Sequence, residues 1–153
     1  MDIWDSLRIR HQQEEAAYNM KVKNELQRTD TLTTGDSMVV SFISKKDDLL
    51  KKIVYQLDAA GCAGFVRFKY YNEKGQVAYI RKFKQSCVPN IHDQEFNHIY
   101  YERFEYDISG RLIVYIDTFA DRPYKVEYTY TPGEAVKRVS KKISETDFWK
   151  SSR

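Results

Sequence analysis

Apolar and polar positions change period along the chain, and the change divides it into two regimes. Residues 3–28 follow helical spacing: Tyr18, Val22 and Leu26 recur at i, i+4 and i+8, among the good helix formers Ala16, Ala17 and Met20. The polar stretch from Arg10 to Glu15 interrupts that stripe, which predicts a helix that is only partly buried or docks on a neighbour. Residues 29–36 (TDTLTTGD) read as a polar connection. Met38, Val40 and Phe42 alternate along a strand. Leu49, Leu50, Ile53, Val54 and Leu57 then return to helical spacing, with Asp47 and Asp48 before them and Gly61 after. They predict a second helix over 45–60.

From residue 65 the period is two. Val66, Phe68 and Tyr70 alternate with Arg67, Lys69 and Tyr71, and Val77, Tyr79 and Phe83 follow a turn. Residues 84–98 break the rhythm and read as a long connection. Tyr100, Glu102, Phe104 and Tyr106 resume it, then Leu112, Val114 and Ile116, then Tyr124, Val126, Tyr128 and Tyr130. A last polar strand over 135–141 suits an edge, and Phe148-Trp149 is expected to fold back onto the body. The expected fold is α+β: helix, strand, second helix, then a twisted antiparallel sheet of about six hairpin-connected strands packed on the second helix. Residues 1–34 form a helix and linker, and 35–153 a single domain with hairpins at 65–83 and 99–118.

Two of the turns share a pattern. Tyr106-Asp107-Ile108-Ser109-Gly110-Arg111-Leu112 is echoed by Tyr71-Asn72-Glu73-Lys74-Gly75-Gln76-Val77. Asp or Asn bonds its own turn backbone, and Gly supplies the positive φ that closes the hairpin. The segment 130–133 lacks a residue and the aspartate, and is not counted as a copy. Tyr-Asp-x-x-Gly-Arg-Leu at 106–112 resembles the YD repeat of Rhs-type and teneurin-type surface proteins, where such hairpins stack into β-spiral shells. The copy at 71–77 departs from it at Asn72, Gln76 and Val77, and two copies do not build a shell. Over residues 65–141 the chain also looks like small exported proteins of Bacteroidetes-type bacteria that reuse this heptad.

A hairpin closed at 72–75 brings Cys62 and Cys87 near each other at its open end. A disulfide there closes a 24-residue interval and adds roughly 3 kcal/mol by the loop-entropy account. Two free thiols in a reducing compartment are the alternative. Net charge is +3, from 25 basic and 22 acidic residues, too balanced to argue for nucleic acid. Residues 61–153 carry sixteen of those bases against twelve acids, so the hairpin half is mildly basic. No apolar run reaches the ~20 residues of a membrane-spanning helix, although a lipid anchor upstream is compatible with the chain. Met1 does not open a signal peptide, so either the chain is cytoplasmic or a targeting segment precedes it.

Chemistry-bearing motifs are sparse. Glu95-x-x-His98, with His92 and Asp93, is a single carboxylate-histidine copy where such metal sites need several, so no metal is assigned. No nucleophile elbow, phosphate loop or dinucleotide fingerprint occurs, and no cofactor is implied. Glu102, Glu105 and Asp117 are placed to meet across paired strands, where cross-strand ion pairing is the simpler account. Arg67, Lys69, Tyr71, Tyr101, Arg103 and Tyr115 are expected on an exposed strand face, and Tyr and Arg are enriched at interfaces. The expected function is therefore a non-enzymatic cell-envelope module, periplasmic or at the cell surface, that binds a protein or glycan. An immunity-type inhibitor of a partner toxin is the first alternative. A small-ligand pocket of cystatin-like or NTF2-like type is the second.

Overall fold

The computed structural model describes residues 3–57, 63–84, 99–118 and 124–142. In it one helix, α1 (Ile3–Glu25), lies on a nine-stranded antiparallel sheet. The strands are β1 (Leu26–Thr34), β2 (Ser37–Ser44), β3 (Leu49–Leu57), β4 (Ala63–Tyr71), β5 (Val77–Lys84), β6 (Ile99–Tyr106), β7 (Leu112–Asp117), β8 (Tyr124–Thr129) and β9 (Lys137–Lys142). Each pairs with its sequence neighbours, so the sheet is an up-and-down meander in chain order.

This corrects the expected two-helix α+β fold with about six strands. The segment 45–60 is no helix: the chain turns between Ser44 and Asp48, and 49–57 is β3. The apolar positions at 49, 50, 53, 54 and 57 fit a helix or a strand with apolar residues on both faces, and a short run does not discriminate. The β-branched and aromatic series Ile53-Val54-Tyr55 favours the strand. Asp47 and Asp48, read as a helix start, belong to a hairpin turn in which Asp47 has φ 64°. The connection expected at 29–36 is also mostly strand, since β1 runs to Thr34 and pairs with β2 along its length.

The turns at the end of the sheet shared by β2–β3, β4–β5 and β6–β7 follow one hydrogen-bond plan. The amide of the first residue donates to the carbonyl four positions on: Ser44 to Asp48 (2.8 Å), Asn72 to Gln76 (2.8 Å) and Asp107 to Arg111 (2.9 Å). The amide three positions on donates back to the first carbonyl, from Asp47, Gly75 and Gly110, each 3.0 Å. The first side chain accepts from the backbone as well. Ser44 Oγ takes the Lys46 and Asp48 amides, Asn72 Oδ1 those of Lys74 and Gln76, and Asp107 Oδ1 that of Arg111. The heptad chemistry thus has a third site in which Ser replaces Asn or Asp and Asp47 replaces glycine. Gly75 and Gly110 occupy the same left-handed position, at φ 78° and 87°.

Tyrosines fasten successive hairpins. The Tyr106 hydroxyl donates to the Val77 carbonyl at 2.6 Å, and Tyr130 repeats the bond to Leu112 at 2.7 Å. The Arg111 guanidinium lies 4.5 Å from the Tyr130 ring centroid. The 130–133 segment, discounted on its spacing, performs the same fastening.

The helix face of the sheet carries Lys51, Phe68, Tyr70, Tyr79, Arg81, Tyr101 and Arg103, which stand opposite one another across the β3–β6 ladders or their continuation. Tyr70, Tyr79 and Tyr101 form the buried cluster there, with Tyr18 and Phe68 packed against it. Val66, Val114, Ile116 and Val126 are also buried. The tyrosine excess is accounted for by this aromatic layer and by the fastening bonds. At the C-terminal end of α1 the Lys45 amide donates to the Glu25 carbonyl at 3.1 Å, satisfying one of the acceptors a helix end leaves open.

Candidate functional site

The helix docks on the sheet through polar groups. His11 is fully buried and Glu15 nearly so, although both belong to the polar stretch that interrupts the apolar stripe. The His11 ring stacks on Tyr101, with centroids 3.7 Å apart and planes 4° from parallel, and its Nδ1 lies 2.8 Å from the Tyr79 hydroxyl. Tyr70 donates to Glu15 Oε2 at 2.6 Å and lies 3.0 Å from Asn19 Oδ1. Lys51 Nζ donates to that same Asn19 oxygen at 3.0 Å and sits 4.9–5.4 Å from the centroids of Phe42, Phe68 and Tyr70. Arg81 Nε is 2.6 Å from Glu15 Oε1, an ion pair at contact distance though not on the line of the N–H bond. Arg103 Nε donates to Glu14 Oε1 at 3.0 Å.

Burial sets the charge states in this layer. It pushes His11 down to about 2, helped by the nearby Arg103 charge, so the ring is neutral at any ordinary pH. It raises the Tyr70 and Tyr79 hydroxyls far above their usual range, which keeps them protonated. Glu14 is raised by burial against the opposing pull of Arg103, and Lys51 is lowered by burial. These groups hold one another and hold the helix. Such an arrangement specifies how α1 docks, because each charge is stranded unless its partner is in place.

The six candidate binding residues separate into three places. Tyr101 and Arg103 lie on the helix face, the first stacked on His11 and the second paired with Glu14. Tyr71 follows a register shift at the end of β4 and lines a cleft beside the turns. Arg67, Lys69 and Tyr115 lie on the far face. There the Tyr115 hydroxyl is 2.7 Å from Glu102 Oε2 and 3.0 Å from Asp117 Oδ2, and Tyr124 reaches the same Asp117 oxygen at 3.2 Å. Glu102 and Asp117 do meet across β6 and β7, whereas Glu105 lies opposite Val114 on the helix face. Burial first and Glu102 second hold the Tyr115 hydroxyl protonated, so it serves as a donor between the two carboxylates.

Arg67 and Lys69 have neighbours that the sequence pattern did not single out. Lys69 stands directly opposite Lys52 on β3, and Arg67 directly opposite Lys82 on β5. Four cations therefore occupy adjoining positions of three neighbouring strands. Burial lowers Lys69, and repulsion from Arg67 and Lys52 lowers it further against the opposing pull of Glu102. Among the described residues none of the four makes an ion pair or hydrogen bond, and Lys82 rests 4.9 Å from the Phe65 ring centroid. Only the ladder registers reveal the cluster, because they set residues about 15 to 17 positions apart side by side.

Cys62, Cys87, His92, Asp93, Glu95, His98, Phe148 and Trp149 lie outside the described residues. Among the described residues no disulfide and no metal-binding group of His, Cys, Asp and Glu occurs. No helix among them is long and apolar enough to cross a membrane. No protein-family profile, no curated protein and no solved structure matches the chain.

Proposed function

We propose that the protein acts by binding, and that the far face of β3–β5 docks an acidic protein or glycan surface. The supporting observation is the group of Lys52, Arg67, Lys69 and Lys82. Like charges directly opposite on paired strands destabilise a sheet, and here two such pairs lie side by side with no ion pair of their own, Glu102 acting on Lys69 from the next strand but one. A bound anionic surface would supply the compensation that the fold leaves out, and opposed potentials of this kind steer encounter and set register. The likeness of 106–112 to repeats of surface proteins and the mildly basic hairpin half favour the same role, and with it a place in the cell envelope. This reading keeps Arg67 and Lys69 in the site. It assigns Tyr101 and Arg103 to helix docking.

Binding to immobilised sulfated glycan and to poly-glutamate, at 50 and 200 mM salt, tests the proposal. The expected outcome is binding to one of them that weakens steeply with salt and is abolished in the double variant R67E/K69E. The reading fails if neither surface retains the protein at low salt, or if the charge reversal leaves retention unchanged while circular dichroism shows an intact fold.

A further inference from the structure

A second site lies at the hairpin end of the sheet, away from the basic group. The β5–β6 ladder runs from Phe83–Ile99 to Tyr79–Arg103 and stops. Beyond it residues 77–78 of β5 and 104–106 of β6 do not pair with each other. A cavity of about 890 Å³ opens at this point, with Glu14, Tyr18 and Lys21 of α1 on its wall. Its tip is bridged by three bonds: Tyr106 hydroxyl to the Val77 carbonyl, Gln76 Nε2 to the Gly110 carbonyl at 2.7 Å, and Lys74 Nζ to the Ile108 carbonyl at 2.8 Å. The separation of the strands is therefore held in place by specific contacts, and the volume falls in the range of small-molecule sites.

We propose that this cleft binds a small organic ammonium ion, with its apolar body between β5 and β6 and its charge beside Glu14. Tyr18, Tyr71 and Tyr106 line the wall, and aromatic faces attract cations. Acidic side chains on the wall outnumber basic ones. Arg103 is paired with Glu14 and Lys74 donates to the Ile108 carbonyl, while among the acids Asp107 is paired with Arg111. Glu14 Oε1 accepts from Arg103, while Oε2 is buried with no hydrogen-bond partner among the described residues. A partial turn of the carboxylate about its last side-chain bond brings the shielded oxygen toward the cleft, where an ammonium N–H supplies the missing donor. A charged donor gains more from a carboxylate than a neutral one, and a carboxylate ligand would meet Glu14 with like charge.

The test is NMR titration of the whole chain with three probes that share one aromatic body: 2-phenylethylamine, 2-phenylethanol and 3-phenylpropionate. The amine should bind saturably and shift resonances of Tyr18, Tyr71 and Tyr106. E14Q should weaken it roughly tenfold or more, as loss of one charge-assisted bond implies. Tyr71→Leu, which keeps apolar bulk and removes the ring, should weaken it as well and covers the case in which E14Q does not fold. The inference is overturned if none of the probes shifts those resonances or if the alcohol or the acid binds as well as the amine. Equal affinity of the amine for the wild type and a folded E14Q overturns it too.

Discussion

Lowering the pH from 6.5 to 5.0 should destabilise the fold by about 1–2 kcal/mol through His11 alone. In the unfolded chain this imidazole titrates near its ordinary 6.5, whereas in the folded protein burial and Arg103 hold it down to about 2. Between those values the unfolded state takes up a proton that the folded state refuses. Stability is therefore fully present above pH 6.5 and falls by about 1.4 kcal/mol per pH unit as acid is added. The loss over the window from 6.5 to 5.0 is the same for any folded value below about 4. Glu14 works in the opposite sense, because its folded carboxyl is raised and gains its proton before the unfolded one does. Urea unfolding at pH 7.5, 6.5, 5.5 and 5.0, followed by circular dichroism, isolates the His11 part by comparison with H11Q. Glu14 and the remaining histidines are present in both proteins and cancel to first order. H11Q should be less stable at pH 7.5, where the stacking on Tyr101 is lost, and its profile should be flatter. His11→Phe keeps a stacking ring and serves if H11Q does not fold. Parallel profiles for wild type and variant between pH 6.5 and 5.0 would refute the buried neutral imidazole.

Three further outcomes rest on other contacts. Glu15→Ala leaves Arg81 and the Tyr70 hydroxyl without their shared carboxylate under the helix, and should cost about 3 kcal/mol in the same unfolding assay; a loss below about 1 kcal/mol would mean that the pair does not hold α1. Tyr106→Phe removes the hydroxyl that fastens β6 to the Val77 carbonyl and should cost about 1 kcal/mol, with faster amide exchange at the 72–76 and 107–111 turns. Asp47→Gly relieves a non-glycine residue at φ 64° and should raise stability by up to about 1 kcal/mol, since the exposed Arg28 partner adds little; a clear loss would show that the ion pair dominates.

Local chemistry made several elements legible. The two heptads announced hairpins because Asn72 and Asp107 bond their own backbone and Gly75 and Gly110 accept positive φ, and all of that lies within five residues. The period-two alternation from residue 65 specified strands and the side each residue shares with its neighbours. The 44–48 turn was hidden because Ser44 and Asp47 do the same work with less distinctive residues, and β3 was hidden because five apolar positions fit both periods.

By itself the sequence determined the later turns of the helix, the alternating strands and the chemistry of the glycine-closed turns, since each depends on near neighbours. What lies opposite what was decided only by the tertiary structure. Helical spacing marked Arg10 to Glu15 only as a polar interruption, and Tyr70, Tyr79, Arg81, Tyr101 and Arg103 supply partners from 55 to 90 positions away and make that stretch the docking surface. Register likewise divided the expected Tyr/Arg face, sending Tyr101 and Arg103 under the helix and joining Arg67 and Lys69 to Lys52 and Lys82. A buried polar residue and an exposed one look alike in one dimension. Desolvation and the arrival of a distant counter-charge tell them apart, and both follow from packing.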